Sequence, residues 1–258
     1  MKNTKTLIYD GSFNGFLTAV FIAFDEKIDV VDIQKNSQNQ NGLFSETETI
    51  FTHIEKAKCV WNAIRNKSYP AITAIYFAFL SETRGIEPML FGYIQKLMSG
   101  NDKNLANPAD DTVLYISKLM RKVSREKRHM EASIRFRSTK DDVYFANIAP
   151  DFDVLPLISK HFRNRYKNQQ WLIYDTKRQY GIFYNLEYIE IISLDLSETH
   201  ENRTQNNKTN VPREYGHQNL WGYYFQNAAI KSCITRKLHR QHTPKQYGKH
   251  LSESKEAV

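Results

Sequence analysis

The chain has 258 residues, of which 41% are hydrophobic, and it carries a net charge of +8 at pH 7. That length is enough for one large domain or two small ones. The chain contains no run of about 18 apolar residues, so we expect no membrane span. The cysteines, Cys59 and Cys233, lie far apart, which argues against a disulfide scaffold, a zinc ribbon and an iron–sulfur cluster. The N-terminus lacks the pattern of a signal peptide, so we expect a cytoplasmic protein.

The first half of the chain reads mainly as helices. The segment TLIYD, residues 6–10, predicts a short strand, and the turn DGSFNG and the apolar helix FLTAVFIAFDEK follow it. Residues 34–49 are polar and predict a loop. Further helices are expected over about 54–67 and 70–83, and from Pro88 to about residue 98.

The turn DGSFNG lies between a strand and a helix, where backbone amides can cradle a phosphate. It matches neither GxGxxG nor a Walker A motif. The competing interpretation is a tight turn, in which Gly11 and Gly15 ease the backbone and Ser12 or Asn14 caps the helix. The pattern favours the tight turn. Asp10, at the end of the strand, is the candidate site residue of the N-terminal half.

A further helix is predicted over about 110–130, and its first turn is acidic. Asn107 suits the N-cap, and Pro108 suits the first helical position. Asp110 and Asp111 follow, where the helix dipole favours carboxylates. We therefore interpret the paired carboxylates as capping residues in preference to a general acid–base pair.

The same helix separates apolar from basic residues. The apolar stripe has the spacing of a buried face and consists of Val113, Ile116, Met120 and Val123. Because each residue turns the helix by about 100°, the cations fall on the other side; they are Lys118, Arg121, Lys122, Arg125 and Arg128. In the segment ASIRFR, Arg135 and Arg137 then share one face of a predicted strand. The pattern fits a solvated face or a polyanion-binding surface.

The second half changes to β-branched and aromatic segments separated by turn residues. The predicted strands are EASIRFRS, DVYFANIA, QWLIYDT, QYGIFYN and EYIEIISL, and a helix from Val154 to about Tyr166 interrupts them. The sequence thus predicts an α+β fold with a helical N-terminal half and a mostly antiparallel sheet in the second half. We expect a core domain over residues 1–196, a polar linker over 197–213 and a C-terminal basic helical segment over 214–258.

The C-terminal segment RKLHRQHTPKQYGKHL is basic and contains no acid. We expect one nucleic-acid surface with aromatic rings available to stack on bases. Its cations are Lys118, Arg121, Arg125, Arg128, Arg135, Arg137, Arg236, Arg240 and Lys245. His239 and His242 are three residues apart, but no further ligand lies near them in sequence. Neither a metal nor a cofactor is therefore predicted.

Four stretches of the chain carry a resemblance to a known family; they are YDGSFNGFLTAVFIAF, ANPADDTVLYISKLMRKVSREKRHMEASIRFR, DFDVLPLISKHFRNRYKNQQWLIYDTKRQYGIFY and LWGYYFQNAAIKSCITRKLHRQHTPKQYGKHLSE. The chain resembles a bacterial family that is described by a role in DNA repair or DNA metabolism and whose biochemistry is unknown. The resemblance implies a neighbouring gene for a radical SAM protein. A related domain occurs fused to uracil-DNA glycosylase-like domains.

The chain departs from that family at two places. It has Arg128-His129-Met130 where the family usually has His-Arg-Met. It has TPKQYG over residues 243–248 where the family usually has Met-Pro followed by Arg-Tyr-Trp. The resemblance assigns no catalytic residue, and the chain lacks the three-cysteine motif of radical SAM enzymes. It therefore implies a DNA-handling partner of such an enzyme more than a self-sufficient catalyst.

Three hypotheses follow. The first is an accessory protein that binds DNA, single-stranded or damaged DNA included, and works with the radical SAM partner. The second is an enzyme that acts on a damaged base or nucleotide, with Asp10 and either His129 or His161 at a pocket. The third is a scaffold that binds the radical SAM partner without contacting nucleic acid. Convergence of these three residues in a pocket would favour the enzyme, and a basic surface with exposed aromatic rings would favour binding.

Overall fold

The computed structural model describes residues 4–36, 46–99, 110–138 and 143–193. These residues form six helices and eight strands, which confirms the predicted α+β class. They divide into two compact units. The first unit contains the described residues up to 129 together with 151–154, and the second contains 130–150 and the described residues from 155 onward.

The first unit is built on a three-stranded parallel sheet with the order β2-β1-β3. Its strands are β1 (Thr4–Tyr9), β2 (Asp29–Lys35) and β3 (Glu46–Thr49). Its helices are α1 (Phe13–Asp25), α2 (Ile54–Lys67), α3 (Tyr69–Phe79) and α4 (Ile86–Met98), and it also contains the part of α5 (Asp111–Ser133) up to His129. None of the helices in the described ranges is long and apolar enough to cross a membrane.

An aromatic cluster packs α1 onto α2 and α3. The ring centroid of Phe13 lies 6.0 Å from that of Trp61 and 5.0 Å from those of Tyr76 and Phe79. All four side chains are buried, and burial of a ring such as Phe stabilises a fold by roughly 1.5–3 kcal/mol. The first helix is apolar in sequence because most of its residues are buried, on more than one of its sides.

The prediction of a loop over residues 34–49 is wrong at both ends. The end of β2 occupies residues 34 and 35, and β3 occupies residues 46–49. The strand β3 reads ETET and is largely exposed, so it lacks the alternation of apolar residues that marks a strand in sequence. It belongs to the sheet because its backbone pairs with residues 5–8 of β1, and because Lys5 Nζ lies 2.9 Å from Glu48 Oε2.

The second unit contains a five-stranded sheet with the order β4-β5-β6-β7-β8. Its strands are β4 (Arg137–Ser138), β5 (Tyr144–Ile148), β6 (Trp171–Asp175), β7 (Tyr180–Tyr184) and β8 (Ile189–Ser193). Only β5 and β6 pair in parallel, and α6 (Leu155–Arg165) lies between them in the chain. The other neighbours are antiparallel, which confirms the prediction for this sheet.

The second sheet begins later in the chain than the sequence predicts. The strand predicted over EASIRFRS is wrong in its first part, because α5 continues to Ser133 and only Arg137–Ser138 pair as a strand. Residues 194–258 lie outside the described part of the chain. The linker over 197–213 and the C-terminal basic helical segment over 214–258 therefore stay predictions.

Candidate nucleic-acid interface

A carboxylate caps the start of α5. Asp110 Oδ1 accepts hydrogen bonds from the backbone amides of Thr112 at 2.9 Å and Val113 at 3.5 Å, and its Oδ2 accepts one from Lys96 Nζ at 2.6 Å. The Lys96 hydrogen bond, together with the backbone amides, holds the pKa of Asp110 below its ordinary value. The capping interpretation is therefore confirmed for this residue, whereas Asn107 and Pro108 lie outside the described residues.

One face of α5 is basic and exposed. Five cations form this basic face, which we define as Lys118, Arg121, Lys122, Arg125 and Arg128. They fall within an arc of about 120° and extend about 15 Å along the helix axis. Among the residues that the structure describes, none of the five is paired with a carboxylate. On the opposite side, Ile116, Leu119 and Val123 are buried. Of the predicted stripe, Ile116 and Val123 are therefore confirmed as buried, whereas Val113 and Met120 are half-buried.

Two apolar side chains and a histidine flank the basic face. Leu114 and Tyr115, in the first turns of α5, are 36% and 37% exposed. His129 is exposed near the end of the same helix, and the rotation of about 100° per residue places it in line with Lys118. His129, a candidate catalytic residue, thus belongs to the exposed surface of the helix.

The predicted alternation after α5 is present in the second unit. Ile134 is buried and Phe136 is half-buried, whereas Arg135 and Arg137 are exposed. Arg135 Nη1 donates to the carbonyl oxygens of Ala132 at 2.6 Å and Ile134 at 3.0 Å. Such bonds satisfy carbonyl groups at the end of a helix. Arg135 therefore stabilises the end of α5, and Arg137 is exposed in β4, the outermost strand of this sheet among the described residues.

An aromatic cluster lies next to β4 in the second unit. The ring centroid of Phe136 lies 5.6 Å from Phe162, 5.1 Å from Tyr166 and 6.2 Å from Trp171. Phe162 and Trp171 are fully buried, whereas Phe136 and Tyr166 are half-buried. The Cζ atom of Arg165, an exposed residue, lies 5.8 Å from the centroid of the Tyr166 ring.

Asp10 organises the turn between β1 and α1. Its Oδ1 accepts hydrogen bonds from the Ser12 backbone amide at 2.9 Å and the Ser12 hydroxyl at 2.7 Å, and its Oδ2 accepts one from the Thr52 hydroxyl at 2.8 Å. Ser12 Oγ in turn accepts from the Gly15 amide at 2.9 Å as the N-cap of α1. Gly11 has a φ of +85°, which glycine adopts without strain. The tight-turn interpretation therefore describes this segment. The side chains of Asp10 and Ser12 already accept hydrogen bonds from the backbone amides of Ser12 and Gly15, which a bound phosphate would need.

Replacement of Gly15 by Ala tests how firmly Asp10 is held. Gly→Ala inside a helix ordinarily stabilises by roughly 1 kcal/mol. Here the added Cβ would overlap Asp10 Oδ1 and lie 2.9 Å from Thr52 Oγ1. We expect Gly15→Ala to destabilise the protein by about 1–2 kcal/mol, because the carboxylate must leave the turn and its capping bonds are lost. Denaturant unfolding of the parent and the variant measures the difference.

A double-mutant cycle supplies the control for that prediction. In the Asp10→Ala background the overlapping carboxylate is absent, so we expect Gly15→Ala to become neutral or stabilising. If the two substitutions are additive, Asp10 does not exclude a side chain at position 15, and its structural role at the turn is refuted.

A buried ionic cluster at the same edge of the sheet was missed in the sequence. Glu87 is only 3% exposed; its Oε1 accepts a hydrogen bond from the Tyr9 hydroxyl at 2.9 Å and lies 3.7 Å from Lys35 Nζ. Burial, then the charge and the hydrogen bond of Glu87, raise the pKa of Tyr9 far above its ordinary value, so the phenol stays a neutral donor. In the sequence, the cluster is indicated only by an acid in the first turn of α4, and an acid at that position ordinarily indicates helix capping.

The remaining catalytic candidate, His161, belongs to the second unit. It is half-buried on α6; its Nδ1 lies 4.0 Å from Glu131 Oε1, and its ring meets the Phe162 ring edge-on at 5.1 Å. Asp10 and His129 belong to the first unit, and within the described residues no hydrogen bond joins them. The described residues also contain no group of three or more His, Cys, Asp or Glu side chains that could hold a metal ion.

The fold and the basic face define an α+β protein with an exposed cationic helix. Residues 84–253 match the model of DUF4130, a domain of unknown function. The match covers more than half of the chain, and the chain therefore belongs to this family. No curated protein matches it. Among solved structures, the chain is similar to the pGpG-specific phosphodiesterase PggH of Vibrio cholerae, with 12% identity, a TM-score of 0.36, and coverage of 70% of this chain and 81% of that one. A TM-score at that level carries no inference about function.

Proposed function

We propose that this chain is a DNA-binding accessory protein of a DNA repair or modification system, and that the basic face of α5 is its main contact with DNA. The observation that carries the proposal is the exposure of five cations on one side of one helix, without a paired carboxylate among the described residues. An unneutralised surface of this kind attracts a polyanion and releases the counterions of its phosphates on binding.

The arrangement of the charges favours a polyanion over a merely solvated face. Solvated helical faces commonly mix charges of both signs at i,i+3 and i,i+4, where opposite charges stabilise the helix. On the basic face these spacings join like charges, as in Lys118 with Lys122 and Arg121 with Arg125. Each such pair destabilises a helix by roughly 0.2–0.5 kcal/mol. Phosphate groups along the face would remove that repulsion, which gives the arrangement a physical reason.

The proposal extends beyond α5. Arg137 contributes an exposed cation from the second unit, and Arg236, Arg240 and Lys245 contribute further charge from residues outside the described ranges. Arg135 lies next to these cations in the chain, but its guanidinium is already bonded to carbonyl oxygens at the end of α5. We therefore do not count it among the phosphate contacts. The radical SAM protein implied by the family resemblance is the proposed partner in the same system.

A salt series tests the proposal. We expect the variant with Arg125→Ala and Arg128→Ala to bind DNA with a less steep dependence of log K on log salt. Each lost phosphate contact reduces that slope by about 0.9 on duplex and about 0.7 on single-stranded DNA, so the pair should reduce it by roughly 1.8 and 1.4. Fluorescence anisotropy with a labelled oligonucleotide of each form measures the slopes. The melting temperature should change little, since exposed charges contribute little to stability.

The matched control removes the same charge elsewhere. Arg65 and Lys160 are exposed cations on α2 and α6, and the variant with Arg65→Ala and Lys160→Ala should keep the parental slope. A parent that binds neither form of DNA at low salt would overturn the proposed function. Equal changes of slope in both double variants would show that binding depends on net charge and not on this face.

A further inference from the structure

We propose that Phe136 and Tyr166 of the second unit, with Arg165 beside them, form a stacking site for an unpaired nucleobase, and that the chain therefore prefers single-stranded DNA. The inference rests on the proposed DNA binding and names the form of DNA that is bound. Phe136, Arg165 and Tyr166 all belong to the second unit.

The two rings lie at the border between core and solvent. Phe136 directly precedes β4, the outermost strand of the sheet in the described part of the chain, and Tyr166 directly follows α6. Their centroids are 5.1 Å apart with an interplanar angle of 79°, so the edge of one ring points at the face of the other. Both side chains are half-buried. Each of the two side chains is therefore partly accessible to a partner.

The buried side of the pair makes it a rigid platform. Tyr166 lies parallel to Phe162 at 6.2 Å with an interplanar angle of 7°, and Phe136 meets Phe162 and Trp171 at 5.6 Å and 6.2 Å. Phe162 and Trp171 are at most 1% exposed. Because these contacts already fix the rings, a stacking base would cost little additional side-chain entropy.

The charge around the platform fits a nucleic-acid backbone. The Arg165 guanidinium lies over the Tyr166 ring at 5.8 Å, within the range of a cation–π contact. Arg137 and Lys167 are exposed cations at adjoining positions of the chain, one residue beyond Phe136 and one beyond Tyr166. Aromatic rings flanked by cations are the combination that binds single strands, since each base stacks on a ring while the phosphates meet the charges. A base in an intact duplex has no free face for such stacking.

Replacement of Tyr166 by Leu tests the stacking site. Leucine keeps an apolar side chain at the border of the core but removes the aromatic face. At fixed salt we expect affinity for a single-stranded oligonucleotide to fall roughly tenfold or more, which is within the range for loss of one stacking ring. Affinity for the matching duplex should stay at the parental value. The salt slope should also stay unchanged, because stacking releases no counterions.

Two controls keep the result interpretable. Tyr166→Phe retains the ring and should keep the parental affinity for both forms. Tyr180→Leu removes a half-buried tyrosine from β7 of the same sheet and should leave both affinities unchanged. If Tyr166→Leu lowers stability, the ratio of single-strand to duplex affinity still decides the matter, since an unfolded fraction reduces both affinities equally.

The outcomes separate this inference from the proposed function. A fall in the single-strand to duplex ratio for Tyr166→Leu, restored by Tyr166→Phe, supports the stacking site. An unchanged ratio overturns it, and leaves DNA binding through α5 intact if the salt slope still responds to Arg125 and Arg128. A parent that binds duplex at least as tightly as single strands also overturns it.

Discussion

Replacement of Lys35 by Met is expected to destabilise the protein by about 3–5 kcal/mol, the cost of leaving one member of a buried ion pair without its partner. Lys35 Nζ lies 3.7 Å from Glu87 Oε1, and the side chains of Lys35 and Glu87 are only 16% and 4% exposed. Methionine preserves most of the aliphatic stem of lysine, so the substitution mainly removes the charge. The Glu87 carboxylate would keep one described hydrogen bond, from the neutral Tyr9 hydroxyl at 2.9 Å.

Thermal and denaturant unfolding measure this effect. For a chain of this length, each kcal/mol corresponds to roughly 2–4 °C in melting temperature, so the shift should be large. Glu87→Gln in the Lys35→Met background removes the stranded charge and retains the side-chain shape. The double variant should therefore recover much of the lost stability. A cost below about 1 kcal/mol for Lys35→Met would show that the pair is effectively solvated.

Replacement of Gly181 by Val is expected to destabilise the second unit by about 3 kcal/mol, although valine is the better strand former. Gly181 lies in β7, where it pairs with Tyr174 of β6 and Ile192 of β8. A Cβ at this position would lie 2.8 Å from the backbone oxygen of Ile173 and 3.1 Å from Cδ2 of Tyr174. Because the nearest atom is backbone, relief requires the neighbouring strand to move.

Gly92→Ala is the control for that prediction. Gly92 lies inside α4, and apart from its chain neighbours and the adjacent backbone of the helix no heavy atom lies within 4 Å of the position its Cβ would take. Removal of backbone freedom from the unfolded chain should therefore stabilise the protein by roughly 0.4–1 kcal/mol. Denaturant titration followed by circular dichroism distinguishes the two results. A neutral or stabilising Gly181→Val would mean that β7 accepts a side chain there and that the close approach is relieved at no cost.

Patterns formed by near neighbours in the chain predicted much of this protein without coordinates. The exposed basic face of α5 follows from a helical period, and the structure has it. The burial of Ile134 to Arg137 alternates as a period of two predicts, although only Arg137 of these residues lies in a strand. The cap at Asp110 and the turn at Ser12 depend on hydrogen bonds that reach only two or three residues. The mostly antiparallel second sheet follows from short β-branched segments separated by turns.

Contacts between distant residues required the folded chain. The strand ETET is polar at every position, and only its pairing with β1 makes it a strand. The partners Tyr9 and Glu87 are 78 residues apart, and the rings of Phe136 and Tyr166 come from separate elements. The need for a glycine also depends on distant contacts. Atoms of other segments leave no room for a side chain at Gly15 and Gly181, whereas the position of Gly92 is open. Periodicity describes which face of an element is apolar, but only packing decides which side chains meet.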